Sequence, residues 1–360
     1  MKAFVTGGTG FIGRHLIGQL LARGYDVTGL ARSEESAAEL MAMGAAVARG
    51  DVTDRESMRT GMRGSDVVFH LAGWYRIGSP DWMSAESINV AGTRNVLSLA
   101  HELGVPRIVY TSTTTVFGDT HGQMVDETFF QSGPFVTEYD RTMWLAHYKV
   151  ALPLIEQGAP IIIVMPGAVY GPGDPSLIGR LMVDFWQGTL PAVFGPEFVH
   201  TYAHVEDVAE GHILAAEKGR PGESYILTGP AVPLGEIVDF WGMITGKPGP
   251  KVAVPARLVQ PLAPAVGALS ETVPLPEMYS RETAAVLSVT YMARADKAKE
   301  ELGWRPRSLQ EGMSETFRWI DQHIPPREPV IQDKERQIAG LALLTAAVVF
   351  ILWLLGRRKG

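Results

Sequence analysis

The first residues that could do chemistry are three glycines. Thr6-Gly7-Gly8-Thr9-Gly10-Phe11-Ile12-Gly13 follows an apolar run, Lys2 to Thr6, and opens a helical pattern from Ile12 to Ala22. A glycine triad alone says little, but between a strand and a helix it marks a loop for the pyrophosphate of a dinucleotide. Among Gly7, Gly10 and Gly13, one makes the tight turn and another lets backbone approach the phosphates. The third lets helix and sheet pack closely. The exposed N–H groups of this stretch, Phe11 and Ile12 included, and the helix dipole then favour phosphate charge. About 20 residues past the loop, dinucleotide sites place an acid for the ribose hydroxyls. Here Arg32 ends the second apolar run, and Glu34 and Glu35 come slightly too late. A guanidinium there pairs a 2′-phosphate, so the reading is NADP(H) in preference to NAD(H). A solvated surface arginine is the plainer alternative.

Other chemistries are set aside by composition. The chain has 360 residues, 46% of them apolar, a net charge of −7 and no cysteine. Thiolate metal sites, disulfides and a cysteine nucleophile are excluded. No basic block lies in the globular part, so nucleic acid is not an expected partner. No His/Asp/Glu spacing resembles a metal site, and no Gly-x-Ser-x-Gly nucleophile turn occurs. The N-terminus runs straight into a strand pattern with no signal-peptide profile.

The elements that must position the loop are legible as alternating patterns. Strands are expected at Lys2 to Thr6, Val27 to Ala31, Ala45 to Arg49, Val67 to Leu71, Ile108 to Ser112 and Ile161 to Met165. Helices are expected at Ile12 to Ala22, around Thr93 to Glu102, and at Thr137 to Leu152. Near-continuous apolar strands alternating with helices imply an α/β fold, a Rossmann doubly wound parallel sheet covered on both faces. Residues 1–165 would form the NAD(P)-binding domain. Residues 166–324, punctuated by Gly and Pro, would form a smaller substrate-binding region with segments returning to the sheet. Residues 325–337 read as a linker. Ile338 to Leu355 then gives 18 residues without a charge, followed by a basic tail, 356–360. At ~1.5 Å per residue this is roughly 27 Å, close to a hydrocarbon core, so a single-pass transmembrane helix is expected. Lysine and arginine counts beside it, three after against two before, run mildly against a cytosolic domain. A cytoplasmic globular domain is still expected, because the cofactor pool is there.

Further motifs follow in order: Gly50-Asp51-Val52-Thr53-Asp54, His70-Leu71-Ala72-Gly73, Asn89-Val90-Ala91-Gly92-Thr93-Arg94-Asn95-Val96, Tyr110-Thr111-Ser112-Thr113, Pro166-Gly167-Ala168-Val169-Tyr170-Gly171-Pro172-Gly173-Asp174 and His204-Val205-Glu206-Asp207-Val208-Ala209. Together with the glycine loop they resemble the extended short-chain dehydrogenase/reductase superfamily, of the NAD-dependent epimerase/dehydratase type. The nearest flavour is dihydroflavonol-reductase-like and hopanoid-associated-epimerase-like, over roughly residues 1–320. The resemblance implies that Asp51 and Val52 contact the adenine. Leu71, Ala72 and Gly73 would line the cofactor, and the stretch Pro166 to Val169 would lie against the nicotinamide. It further implies a Tyr-x-x-x-Lys pair on one helix, the charge lowering the tyrosine's pKa so that it can move the hydroxyl proton. Tyr139 matches the tyrosine and Thr113 the Ser/Thr that bonds the substrate oxygen. The lysine position is Met143, and no tyrosine in the chain has lysine four residues later. Lys149 is rotated away from that face, and His147, one turn beyond Met143, lies too far from Tyr139 to replace the lysine simply. Trp74-Tyr75-Arg76 is a candidate roof for the pocket, and His204 reads as structural.

Three readings follow: a weak or altered reductase or epimerase, a non-catalytic dinucleotide-binding accessory subunit of a membrane complex, or chemistry resting on other groups such as Asp140, Arg141 or His204. The first leads. Its substrate would carry a hydroxyl or keto group on a lipid-like or sugar skeleton, with the tail holding the domain at a membrane.

Overall fold

Short, β-branched, uncharged runs such as Phe4-Val5, Val67-Val68 and Ile161-Ile162-Ile163-Val164 are wholly buried. That burial on both faces is what a central parallel sheet requires. In the computed structural model, which describes residues 1–76, 81–259, 285–286 and 289–325, these runs become β1 (Lys2–Thr6), β2 (Asp26–Ala31), β3 (Ala46–Arg49), β4 (Val67–His70), β5 (Ile108–Thr111) and β6 (Ile161–Pro166). A seventh strand, Ser224–Leu227, returns from the second half of the chain and pairs in parallel with β6. The order is Ser224–Leu227, β6, β5, β4, β1, β2, β3. It reverses direction between β1 and β4, and ligands of doubly wound sheets bind outside the carboxyl ends of the strands at such a point.

Helix α1 (Phe11–Ala22) starts right after the glycine loop and packs beside the helix Val205–Lys218. The helix that carries Tyr139 differs from its expected form. It begins as an α-helix over Glu138–Trp144, widens to a π-helical turn over Leu145–Ala151, and resumes over Leu152–Glu156. A second such turn, Glu86–Gly92, precedes the helix Thr93–Glu102. Both sit next to residues of the cavity described below, a common place for π-turns.

The residues after Pro166 build their own apolar core around Met182, Phe185, Trp241, Phe317 and Ile320. A small sheet, Ala231–Pro233, Val199–His204 and Ala168–Tyr170, lies at its base. Among the described residues no helix is long and apolar enough to cross a membrane. The expected span at 338–355, the basic tail 356–360 and all but the first residue of the linker 325–337 lie outside the described residues.

Candidate active site

The glycine loop is built where a side chain cannot go. Gly7 has φ +72°, and a Cβ on it would lie 2.6 Å from the Ala72 amide nitrogen. A Cβ on Gly13 would lie 2.1 Å from the Gly7 carbonyl oxygen. Gly10 differs: its Cβ would meet only that same oxygen, at 3.1 Å. It is the N-cap of α1, with no side chain capping the helix, so the first-turn amides keep their donors for something else. Gly7, Gly10, Phe11, Ile12 and Gly13 border a cavity of about 710 Å³. Bare Cα atoms, uncapped amides and open space together fit a diphosphate.

Behind the loop, a buried relay fixes the ends of β1 and β4. The Ala72 amide donates to Thr6 Oγ1 (3.3 Å), which is 2.7 Å from His70 Nδ1, while His70 Nε2 is 2.9 Å from Thr93 Oγ1. Burial holds His70 neutral, down to about 3. In the neutral ring one nitrogen donates and the other accepts, so Thr6 and Thr93 take complementary roles toward it. Leu71, Ala72 and Gly73, which leave β4 here, line the cavity.

Three residues expected to contact the adenosine half lie outside the cavity walls, on the β2–β3 side. Arg32 is exposed just past β2 and makes no ion pair among the described residues. Its neighbour Arg49 is engaged with the Ser33 carbonyl and Glu34. Asp51 Oδ1 accepts from the amide and hydroxyl of Thr53, both at 2.8 Å. Asn95 Nδ2 donates to the Val52 carbonyl at 2.9 Å.

On the other side of the switch point, Thr113, Tyr139 and Met143 meet on the same cavity, with Pro166 and Val169. Thr137 caps the helix through a capping box with Asp140. Four residues apart, Tyr139 and Met143 present one face, and Met143 is buried. The Tyr75 ring stands edge-on to Tyr139 at 4.9 Å. Burial, and after it Tyr75, pushes the Tyr139 phenol far above the usual tyrosine range, and the Thr113 hydroxyl beside it offsets only part of that. Arg76 borders the cavity as well, while Trp74 is buried and does not line it.

No substitute for the lysine is found at position 143. The π-turn carries His147 to the end of β5, where Nδ1 lies 2.9 Å from Ser112 Oγ. Burial holds it neutral, down to about 4. The Lys149 ammonium lies 5.4 Å above the Trp144 ring. No lysine borders the cavity among the described residues; its cations there are Arg76 and Arg180. Of the alternative groups, Arg141 turns to Glu138 and Glu86. His204 is buried and caps the helix Val205–Lys218. Asp140 alone of the three borders the cavity. His204 does gather with Glu206 and Glu315, a grouping hidden by distance in sequence, but Arg307 already donates to both glutamates, at 2.8 and 2.6 Å.

Two residues of the site carry no assigned role in the sequence reading. Asn89 Oδ1 accepts from the Trp74 amide at 2.6 Å, and its Nδ2 donates to the Trp74 carbonyl (3.1 Å) and Thr142 Oγ1 (2.9 Å). Its place in the Asn-Val-Ala-Gly-Thr motif was the available signal. Tyr291 donates to Asp140 Oδ2 at 3.1 Å and comes from a segment with no periodic pattern to mark it.

The model of the NAD dependent epimerase/dehydratase family matches residues 3–227. The chain belongs to this family. Within it, the chain is 31% identical over 327 residues to the sterol demethylase protein B of Methylococcus capsulatus, covering 89% of this chain and 98% of that one. It is 33% identical over 324 residues to the 4-hydroxy-2-methyl-3-oxo-4-farnesyl-3,4-dihydroquinoline-1-oxide ketoreductase of Stigmatella aurantiaca, covering 87% and 95%. The crystal structure of gox2253 superposes with a TM-score of 0.78 at 33% identity, over 90% of this chain and 99% of that one. The sequence-level resemblance to the epimerase/dehydratase type is thereby borne out, and with it the parallel Rossmann-like sheet and an NAD-dependent family chemistry.

Proposed function

We propose that the chain is a nicotinamide-dependent reductase of keto groups on lipid-like, alicyclic substrates. The observation that carries this reading is the Tyr139–Thr113 pair on a cavity continuous with the glycine loop. When bound, the nicotinamide supplies or accepts hydride. Pro166 and Val169 would lie against it, and Gly7, Gly10 and Gly13 would hold the pyrophosphate. Thr113 would orient the substrate oxygen, and Tyr139 would hand it a proton.

Reduction fits the state of Tyr139 better than the family's other reactions. A phenol kept neutral by burial is the form from which carbonyl reduction starts. Epimerisation and dehydration start with oxidation of a hydroxyl, which needs the phenolate. The substrate class is supported by the walls beyond Tyr139: Leu177, Ile178, Leu181, Phe198, Leu234 and Val286. These apolar walls favour a hydrocarbon skeleton, and Arg76 and Arg180 are the cations on the same cavity. The two relatives named above, a sterol demethylase protein and a ketoreductase of a farnesyl-bearing substrate, support the same class. An anchor at 338–355, with the domain on the cytoplasmic side, would keep the cavity near such substrates. The second reading, a non-catalytic accessory subunit of a membrane complex, is favoured by Met143. Neither reading needs a nucleic acid.

Hydride exchange between NADPH and an alicyclic ketone should be measurable for wild type. It should fall about 10²- to 10⁴-fold in Tyr139→Phe, the usual worth of a positioned acid. Equal rates in the two proteins would sink the assignment. For the cofactor, Arg32 is the group placed to meet a 2′-phosphate. Losing one charge-assisted contact costs about 1.5–3 kcal/mol. Arg32→Glu should therefore weaken NADPH binding about 10- to 100-fold in a fluorescence titration, at ~1.4 kcal/mol per decade, while NADH holds or improves. An unchanged NADPH/NADH ratio would remove the NADP(H) preference.

A further inference from the structure

We propose that Asp140 stands in for the absent lysine as the group that resupplies Tyr139 with its proton, with Tyr291 setting its acidity; the inference rests on the reductase reading above. Asp140 follows Tyr139 directly and borders the same cavity, yet is only 3% exposed. Its Oδ2 accepts from the Tyr291 hydroxyl at 3.1 Å and from the Thr137 amide at 3.2 Å.

Capping the helix does not require this residue. A capping box needs an acceptor, not a buried charge. The box on Glu34–Ala42 is closed by Ser36, and the one on Leu309–His323 by an exposed Glu311. Only the box beside Tyr139 places a carboxyl in the wall of the cavity. No cation is paired with that carboxyl among the described residues. The groups facing it are Thr137 and Tyr139 from its own helix, Thr115 from the turn after β5, Tyr75 from the loop after β4, and Tyr291 from the segment 289–293. Behind Tyr291 stand Asp119 and His200, the latter stacked on its ring at 5.5 Å and held neutral by burial. Burial pushes the Asp140 carboxyl up to about 6, against the pull of the Thr115, Tyr291 and Thr137 hydroxyls and the Thr137 amide. At neutral pH it therefore exchanges between acid and carboxylate, the property a proton supplier needs.

The proton balance closes with the reduced nicotinamide as reductant. The carbonyl carbon gains hydride, and the Tyr139 O–H bond breaks as the alkoxide oxygen takes its proton. The phenolate then takes the Asp140 carboxyl proton through water in the cavity space the two share. Solvent reprotonates the Asp140 carboxylate at the cavity mouth. The sum is ketone plus hydride plus one solvent proton giving alcohol.

Because resupply follows the chemical step, it governs turnover and not kcat/KM. Steady-state kcat for NADPH-dependent reduction, with trans-2-decalone first among a panel of alicyclic ketones, should fall as pH rises through about 6. Asp140→Asn should lose that inflection and about 10-fold in kcat at acid pH, with kcat/KM little changed because KM falls alongside kcat. Tyr291→Phe removes a donor that favours the carboxylate. It should move the inflection up by about one pH unit and make reduction faster at pH 7, an outcome that structural damage does not give. Carboxyl ¹³C NMR of Asp-labelled protein supplies a reading without turnover: Asp140 and Asp174, both pushed up to about 6 by burial, give two signals titrating there, of which one is absent in Asp140→Asn and shifted upward in Tyr291→Phe. An inflection that survives in Asp140→Asn, or does not move in Tyr291→Phe, overturns the role of Asp140 and leaves the reductase reading standing. No reduction of any ketone by wild type between pH 5 and 9 overturns both.

Discussion

Met143→Lys is expected to accelerate hydride transfer about 10- to 100-fold in both directions. Residue 143 borders the cavity one helical turn from Tyr139, on the same face. An ammonium there would pull the phenol's pKa down by about 1–3 units, the usual effect of an opposite charge at close range. Both directions must gain alike in kcat/KM at a given pH, because a catalyst cannot move the overall equilibrium. The pH profile separates this from a packing effect. In wild type, alcohol oxidation requires the phenolate of a tyrosine pushed far upward. Its kcat/KM should climb about tenfold per pH unit through the accessible alkaline range, with no plateau. In Met143→Lys a plateau should enter at the alkaline end. Unchanged rates and profile would mean that position 143 does not act on Tyr139. Turnover that appears only in the variant would instead favour the accessory-subunit reading of the native chain.

Gly10→Val should abolish dinucleotide binding while leaving the apo fold nearly as stable. Gly10 sits at φ −72° and ψ 172°, open to any L-residue. Its added Cβ would press only on the Gly7 carbonyl oxygen at 3.1 Å. The branched methyls would enter the space in front of the α1 amides, where a phosphate has to sit. Each charge-assisted hydrogen bond lost is worth about 1.5–3 kcal/mol, so NADPH affinity should fall by at least about 100-fold. The melting temperature should drop only a few degrees. Gly13→Ala makes the contrast, since its Cβ would overlap the Gly7 carbonyl oxygen at 2.1 Å and disturb the loop itself. An NADPH titration of Gly10→Val that matches wild type would remove the loop from the cofactor site.

The sheet was largely legible because its strands are short apolar runs, buried throughout in β4 and β6. Expected and observed bounds of β1 through β6 differ by no more than a residue at either end. The glycine loop was legible because its spacing answers to a single backbone requirement. The π-turn at Leu145–Ala151 was not, since one extra residue in a helical turn leaves the apolar pattern nearly intact. That extra residue sends His147 to Ser112 instead of along the Tyr139 face. Asp140 could be singled out in the sequence as a charged neighbour of Tyr139. Its burial could not, because the group that meets it, Tyr291, lies 151 residues away. Distances of that kind are set by the return of the second half of the chain onto the sheet, which local pattern does not encode.

Asn89 has a consequence for motion. One side chain holds the Trp74 backbone through both its amide and its carbonyl, and holds the Tyr139 helix through Thr142. The Tyr75 rim and the Tyr139 wall are thereby clamped into a single body. Substrate entry that required those two walls to part would have to break a buried link of Asn89, either its bond to Thr142 or both of its bonds to Trp74. Any breathing of the cavity therefore falls to the helix Leu177–Trp186 on another wall, moving against a fixed catalytic edge.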